Sequence, residues 1–234
     1  MGSGAARVSV IIPAINESDF VAGAVGSARK AGADEVWVVD GGSQDATVAR
    51  ATEAGAQVMG SLPGRAVQMN RGAEAAGGDI LLFLHADCRL DSEAISQIRS
   101  AAPHDWIFGA FRQRIEADRW LYRIWERGNA WRVRWCGVVY GDQAMFVRRS
   151  DFWAAGGFEE EPLLEDLLLS LKLRRQRWPI LLDGPVWVSA RRWRRYGLVR
   201  QTLRNWAIVA AWYLGASPQR LARYYRRHDV HSHT

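Results

Sequence analysis

Four short apolar runs within the first 90 residues decide what this chain can fold into. They read VSVII at 8–12, EVWVV at 35–39, QVMG at 57–60 and ILLFL at 80–84. Between them lie stretches of helical periodicity, such as Phe20, Val21, Ala24, Val25 and Ala28. The continuous runs VSVII and ILLFL, bounded by turn residues, predict central strands of a parallel sheet, whereas QVMG predicts only a weak strand. Strand and helix alternating in this way predict a doubly wound α/β sheet. Pro13 is expected to stop the first strand and Gly32 the first helix.

Each predicted strand hands over to polar residues at its carboxyl end, where open α/β sheets bind ligands. Asn16 and Glu17 follow the first, Asp40 and Ser43 the second, and His85 and Asp87 the run at 80–84. If the strand continued, His85 and Asp87, two apart, would point to one face. Local chemistry offers an alternative for each. Asn16 and Glu17 also suit a helix start, Asp40 a turn before Gly41-Gly42, and Asp87 a loop ahead of a helix near Asp91. A histidine satisfied within the core is the alternative for His85.

Charge divides the chain. Through residue 90 there are seven basic and ten acidic side chains; from residue 91 there are 24 and 15. All but two basic residues are arginine, and eleven of twelve tryptophans follow residue 100. A basic, aromatic second half favours phosphate, acidic lipid or nucleic acid. Cys88 and Cys136 form no CxxC pair, so neither a disulfide framework nor a zinc site is expected, and a reducing compartment fits. No secretory signal pattern precedes Pro13, and no apolar run approaches the roughly 20 residues that span a bilayer.

Taken together, PAINE at 13–17, VVDGGSQDAT at 38–47, FLHAD at 83–87, GDQ at 141–143 and LLED at 163–166 resemble family 2 glycosyltransferases of GT-A fold. The likeness runs over nearly all of residues 8–225 and is nearest to the radical-SAM/selenodomain-associated transferase 2 subgroup. It implies a Rossmann-like, mostly parallel sheet flanked by helices, with amphipathic helices at the C-terminus. The expected layout is a flexible 1–7, a GT-A domain at 8–190, a helical extension at 191–227 and a tail at 228–234. Within the domain, 8–90 is the nucleotide-binding half and 91–190 the acceptor half.

The resemblance also assigns roles. A nucleotide-sugar donor is expected at Pro13, Asn16, Glu17, Asp40, Arg65, Asn70, Arg71, His85, Ala86 and Asp87. A divalent ion, Mg²⁺ or Mn²⁺, is expected on Asp87 and His85, with imidazole favouring Mn²⁺. His85 stands where the family's first aspartate would be, and Gly41 where a second aspartate is common. Met69 replaces the arginine of the family's A-R-N-x-G helix, which leaves Arg65 and Arg71 as candidates for the diphosphate. Asp166 is the expected general base, supported by Glu165; from spacing alone, two carboxylates at a helix start equally serve the helix dipole. Asp142 and Gln143 are candidates for sugar hydroxyls. Arg192 and Trp193 match the end of the Q-x-x-R-W motif, whose glutamine is Ser189 here, so a single transfer rather than polymerisation is expected.

Two stretches bear on membranes. At 118–135, Trp120, Leu121, Ile124, Trp125, Gly128, Trp131 and Trp135 fall on one helical stripe among arginines and glutamates. A second amphipathic run covers 196–213. Either these helices pack as core, or they lie in the headgroup layer and the acceptor is a lipid. The second reading predicts a cytoplasmic protein peripheral to the inner face of an anionic membrane; nucleic acid is not an expected partner. The rivals are a non-catalytic basic module and a nucleotidyltransferase. The latter would need a glycine-rich loop where PAINE stands, and a dehydrogenase would need G-x-G-x-x-G, also absent. His228, His231 and His233 are expected to belong to the tail.

Overall fold

The computed structural model describes residues 5–118 and 120–230. Its centre is one sheet of eight strands: β1 (Val8–Ala14), β2 (Glu35–Asp40), β3 (Gln57–Gly60), β4 (Ile80–Phe83), β5 (Cys88–Leu90), β6 (Phe108–Ile115), β7 (Phe146–Arg148) and β8 (Ile180–Val188). Their order is β3-β2-β1-β4-β7-β6-β8-β5. The first four strands are mutually parallel; β7 and β5 run the other way. The helices are α1 (Val21–Lys30), α2 (Thr47–Glu53), α3 (Arg65–Ala75), α4 (Ala94–Ala101), α5 (Trp120–Cys136), α6 (Arg149–Ala154), α7 (Glu165–Leu173), α8 (Arg191–Tyr196), α9 (Leu198–Tyr213) and α10 (Pro218–Val230). α10 thus runs three residues into the stretch expected as tail; His231 and His233, and the side chain of His228, lie outside the described residues.

Burial explains the strand sequences. All four residues of β4 are inaccessible, as a strand covered on both faces requires. One apolar layer joins Val10, Ile12, Val25 and Leu82; the other joins Ile11, Val39, Leu81 and Phe152. The alternation of Ile11 and Ile12 between the layers is the two-residue period of a strand.

Two local expectations are corrected. Pro13 does not end β1: it lies in register with Val39, and the strand runs on to Ala14. The ladder with β4 has already ended at Ile11 and Phe83, so no partner is left waiting for the missing N–H. Between α5 and β7, residues 141–143 form a 3-10 turn, and only Phe146–Arg148 pairs as strand. Order also begins before Val8, since the Arg7 N–H donates to Asp79 at 2.9 Å and its carbonyl accepts from Ile80.

The apolar stripe of α5 faces outward. The helix buries Tyr122, Glu126, Ala130 and Val133 and exposes Trp120, Leu121, Ile124, Trp131 and Trp135. Polar groups fasten the inner face: Glu126 accepts the Ile115 N–H at 2.7 Å and pairs with Arg123 at 2.9 Å. Trp125 stacks on Trp206 of α9, ring centres 5.8 Å apart. That stack joins the outer face of α5 to the exposed Leu203, Trp206 and Tyr213 of α9. No described helix is long and apolar enough to cross a membrane.

Candidate active site

The carboxyl ends of β1, β2 and β4 converge, held by a net of side-chain bonds. Asn16 adopts φ +52°; its N–H donates to Ser43 Oγ at 2.9 Å and its Oδ1 accepts the Gln44 N–H at 2.8 Å. The Asp40 carboxylate accepts the N–H groups of Gly42 and Ser43, each at 3.0 Å, and the Ser43 hydroxyl. Asp40 therefore organises its own loop, and so does Asn16. Gln68, which pattern reading passed over, is buried and donates to the carbonyls of Ala14 and Val39 at 3.0 and 2.7 Å. A Cβ on Gly41 would stand 2.5 Å from the end of the Ile15 side chain, so the aspartate common at that position would require Ile15, which is exposed, to swing aside.

Leu84 leaves the sheet, and residues 85–88 form a turn closed by the Cys88 N–H on the His85 carbonyl at 3.0 Å. His85 and Asp87 converge through this turn, not through the pleat of a continuing strand. With Cys88 they offer ligand atoms within 4.8 Å of one another. Carboxylate and imidazole together suit Mn²⁺ better than Mg²⁺, which prefers all-oxygen shells, while the soft Cys88 sulfur is turned to Asp87 Oδ1 at 3.8 Å as a weak hydrogen-bond donor. Glu17 Oε2 beside them is buried without a hydrogen-bond partner, a spare acceptor in the same corner. The residues present fit a divalent ion of that kind.

The second carboxylate group comes from α7. Leu164 adopts φ +70°, a conformation that costs a leucine on the order of 1–2 kcal/mol. The turn sends Glu165 inward, where its buried carboxylate accepts from Arg65 at 3.0 Å. Asp166 Oδ2 accepts the Gly141 N–H at 2.6 Å, and Oδ1 its neighbour Leu167 N–H at 2.7 Å. Burial, then the nearby charge of Glu165, push the Asp166 carboxyl up to about 6, against the pull of Gly141 and Arg65. A carboxylate with that value is poised as a base near neutral pH.

Gly141 sits between the two groups: a Cβ there would lie 2.6 Å from His85 Nε2 and 3.4 Å from Asp166 Oδ2. A cavity of about 230 Å³ is lined by His85, Asp87, Tyr140, Asp142 and Asp166, with Leu163, Leu164, Val188, Trp193, Ile208 and Val209 as its apolar wall. A second, of about 480 Å³, is lined by Pro13, Glu17, Arg65, His85, Ala86, Asp87 and Arg191. The two share Arg65, His85, Asp87, Leu163 and Glu165. A wider groove of about 1590 Å³ beside α1 and α5 contains none of Asp40, His85, Asp87 or Asp166.

Several expected site residues have other work. Arg65 reaches Glu165. Arg71 is exposed and donates to the Gly60 carbonyl at 2.9 Å, on the outer side of α3. Asn70 clamps the backbone of Phe158 through two bonds of 2.9 Å. Gln143 is fully buried and accepts from Arg132 at 2.5 Å, so it cannot reach a sugar. Arg132 lies among Asn129, the Val138 carbonyl and the Tyr140 ring, and burial lowers its pKa. Asp142 lines the smaller cavity, with Oδ1 unpartnered. Trp193 lines it too; the side chain of Arg192 is outside the described residues. It is Arg191 that reaches the site, bonding Asp87 at 3.1 Å and Glu17 at 2.6 Å. The matched motif begins one residue after Arg191, which the sequence reading did not single out.

Comparison with known proteins follows from this geometry. The family model described as glycosyl transferase family 2 matches residues 9–152. A TPR repeat-containing protein of Synechococcus elongatus is 29% identical over 184 residues, covering 77% of this chain and 41% of that protein. The chain thus spans about two fifths of that curated relative. Staphylococcus aureus TarS 1-349 in complex with UDP-GlcNAc superposes with a TM-score of 0.62 at 16% identity, over 78% of this chain and 58% of that one. The mannosyltransferase PcManGT from Pyrobaculum calidifontis, in complex with GDP-Man and Mn²⁺, gives 0.64 at 18% identity, over 93% and 67%. At these identities the likeness is one of fold, and it meets the GT-A expectation.

Proposed function

The chain belongs to glycosyl transferase family 2, and from that premise we propose that it moves a sugar from a nucleotide-diphosphate sugar to an acceptor hydroxyl in one inverting displacement. The observation that carries this reading is the position of Asp87 and Asp166 on one cavity, with His85 between them. The 480 Å³ cavity takes the donor, its diphosphate toward Asp87 and its nucleoside toward the loop that Asp40 organises. The 230 Å³ cavity takes the acceptor. The acceptor oxygen bonds to the anomeric carbon as the bond from that carbon to the diphosphate oxygen breaks. The acceptor proton passes to the Asp166 carboxylate. Attack from the side opposite the leaving group inverts the carbon.

Asp87 and His85 would hold the divalent ion. When bound, it supplies neutralising charge to the departing diphosphate. The Gly141 and Leu167 N–H groups hold Asp166, while the charges of Glu165 and Arg65 shift its affinity for a proton in opposite directions. The FLHAD, GDQ and LLED boxes support membership of the radical-SAM/selenodomain-associated transferase 2 subgroup.

The acceptor is amphiphilic in this reading. The smaller cavity has carboxylates and Tyr140 at one end and Leu163, Val188, Ile208 and Val209 along its wall. α9, which supplies part of that wall, turns Leu203, Trp206 and Tyr213 outward, continuous with the tryptophans of α5. Tryptophan beside arginine suits the headgroup layer of an anionic bilayer. A lipid-borne hydroxyl would reach the cavity from that surface.

The test is a screen of UDP- and GDP-sugars for Mn²⁺-dependent hydrolysis, comparing the wild type with Asp87→Asn and Asp166→Asn. Asp87→Asn should lose nucleotide binding and hydrolysis together. Asp166→Asn should keep nucleotide binding and lose transfer by about 10²–10⁴. Transfer at the wild-type rate by Asp166→Asn removes the assignment of the base.

A further inference from the structure

Arg191, the first residue of α8, is shared between two carboxylates. Its Nε donates to Asp87 Oδ2 at 3.1 Å and a terminal nitrogen donates to Glu17 Oε1 at 2.6 Å. Its Cζ lies 4.5 Å from the centre of the Phe20 ring. The carboxylates are better shielded than the arginine: the side chains of Asp87 and Glu17 are 13% and 20% exposed, that of Arg191 34%. A positive group is therefore already seated on the carboxylate that the site would offer a metal ion.

A guanidinium and a divalent cation repel each other at contact distance, and incomplete solvent screening in a half-buried site strengthens that repulsion. A divalent ion approaching Asp87 meets an occupied oxygen. We propose that Arg191 is an internal competitor of the divalent ion for Asp87 and Glu17, and that it leaves Asp87 when the ion binds. The inference rests on the metal-assisted reading of this site. It has a structural consequence. Arg191 anchors α8, α8 carries Trp193, and the following α9 carries Gln201, Asn205, Ile208 and Val209 of the acceptor cavity. Release of one side chain thus loosens the helices that wall the acceptor cavity.

The experiment is titration calorimetry of Mn²⁺ into the full chain without nucleotide, with limited proteolysis in parallel. Arg191→Gln removes the charge and keeps a polar, though shorter, side chain. It should bind Mn²⁺ about tenfold more tightly than the wild type, the effect of losing roughly one ionic competitor. Added Mn²⁺ should make the wild type cleavable within 191–230, whereas Arg191→Gln should be cleaved there with or without the ion. A purely structural role would leave Mn²⁺ affinity unchanged or weaken it. Either result, with the wild type still binding Mn²⁺, overturns the competition and leaves the donor reading standing. Absence of Mn²⁺ binding in both proteins overturns the competition together with the metal reading. Should Arg191→Gln fail to fold, Arg191→Lys, which keeps the charge and loses the two-pronged geometry, should bind Mn²⁺ about two- to threefold more tightly; unchanged affinity there overturns the inference.

Discussion

Arg65 on α3 and Glu165 at the start of α7 are a hundred residues apart in the chain and meet at 3.0 Å where the two cavities join. Their charges act on Asp166 in opposite directions, Glu165 raising its pKa and Arg65 lowering it. If Asp166 must be ionised to act, the rate of transfer should fall below about pH 6 in the wild type. Arg65→Gln should move that fall to higher pH and Glu165→Gln to lower pH. Profiles of kcat/KM against pH check this; identical midpoints in all three proteins would separate the pair from the base. Stability follows the same sign. A carboxyl whose folded pKa lies above its unfolded value of 3.8 favours the fold most when protonated. That contribution is lost as pH rises through about 6, so Asp166→Asn should gain stability relative to the wild type across the same interval.

Gly141 leaves space only for hydrogen. In Gly141→Ala the new methyl would stand 2.6 Å from His85 Nε2. We expect a loss of about 1–3 kcal/mol in stability, the usual range for overpacking, and a larger proportional loss of transfer. Denaturant melts alongside donor hydrolysis measure both. A variant as active as the wild type would mean that the His85 ring is free to turn away without consequence.

Asn70 matches a family position for the donor, yet its side chain closes on the Phe158 backbone. Asn70→Ala should cost about 1–3 kcal/mol by leaving those backbone groups unpaired. Affinity for UDP or GDP, measured in the folded variant, should stay within about twofold of wild type, an energy change below that of one ordinary hydrogen bond. A selective loss of nucleotide binding would return Asn70 to the donor.

Trp131 and Trp135 are 60% and 66% exposed, so their replacement removes little packing. The double change Trp131→Glu with Trp135→Glu should leave the melting temperature within a few degrees and abolish sedimentation with anionic liposomes. Co-sedimentation by the double variant would remove this face from membrane contact.

The nucleotide-binding half was readable because its central strands β1 and β4 are short, apolar and buried on both faces, whereas β3 at the edge is partly exposed and gave a weaker signal. Pro13 misled only because its missing N–H matters in a ladder, and that ladder had already ended beside it. The amphipathic stripe of α5 was seen but its facing was not. A stripe of tryptophan looks the same whether it meets a core or a solvent, and the deciding contacts came from Glu126 and Arg123, polar residues on the opposite side. Gln143 and Asn70 carried the right residue types for a ligand, while their actual partners, Arg132 and the Phe158 backbone, are set by tertiary packing. Arg191 was passed over because the matched motif covers only Arg192 and Trp193, and nothing local shows that the residue before them reaches across to Asp87 and Glu17.

The wall that α9 gives to the smaller cavity has an evolutionary meaning. The sheet, the acidic turn after β4 and the carboxylates of α7 are all complete before residue 190; the helix that finishes the wall of the smaller cavity follows as a contiguous stretch. On the proposed reading, a descendant could acquire a new recipient by trading α9 while keeping Arg191 and the acidic corner it is tied to.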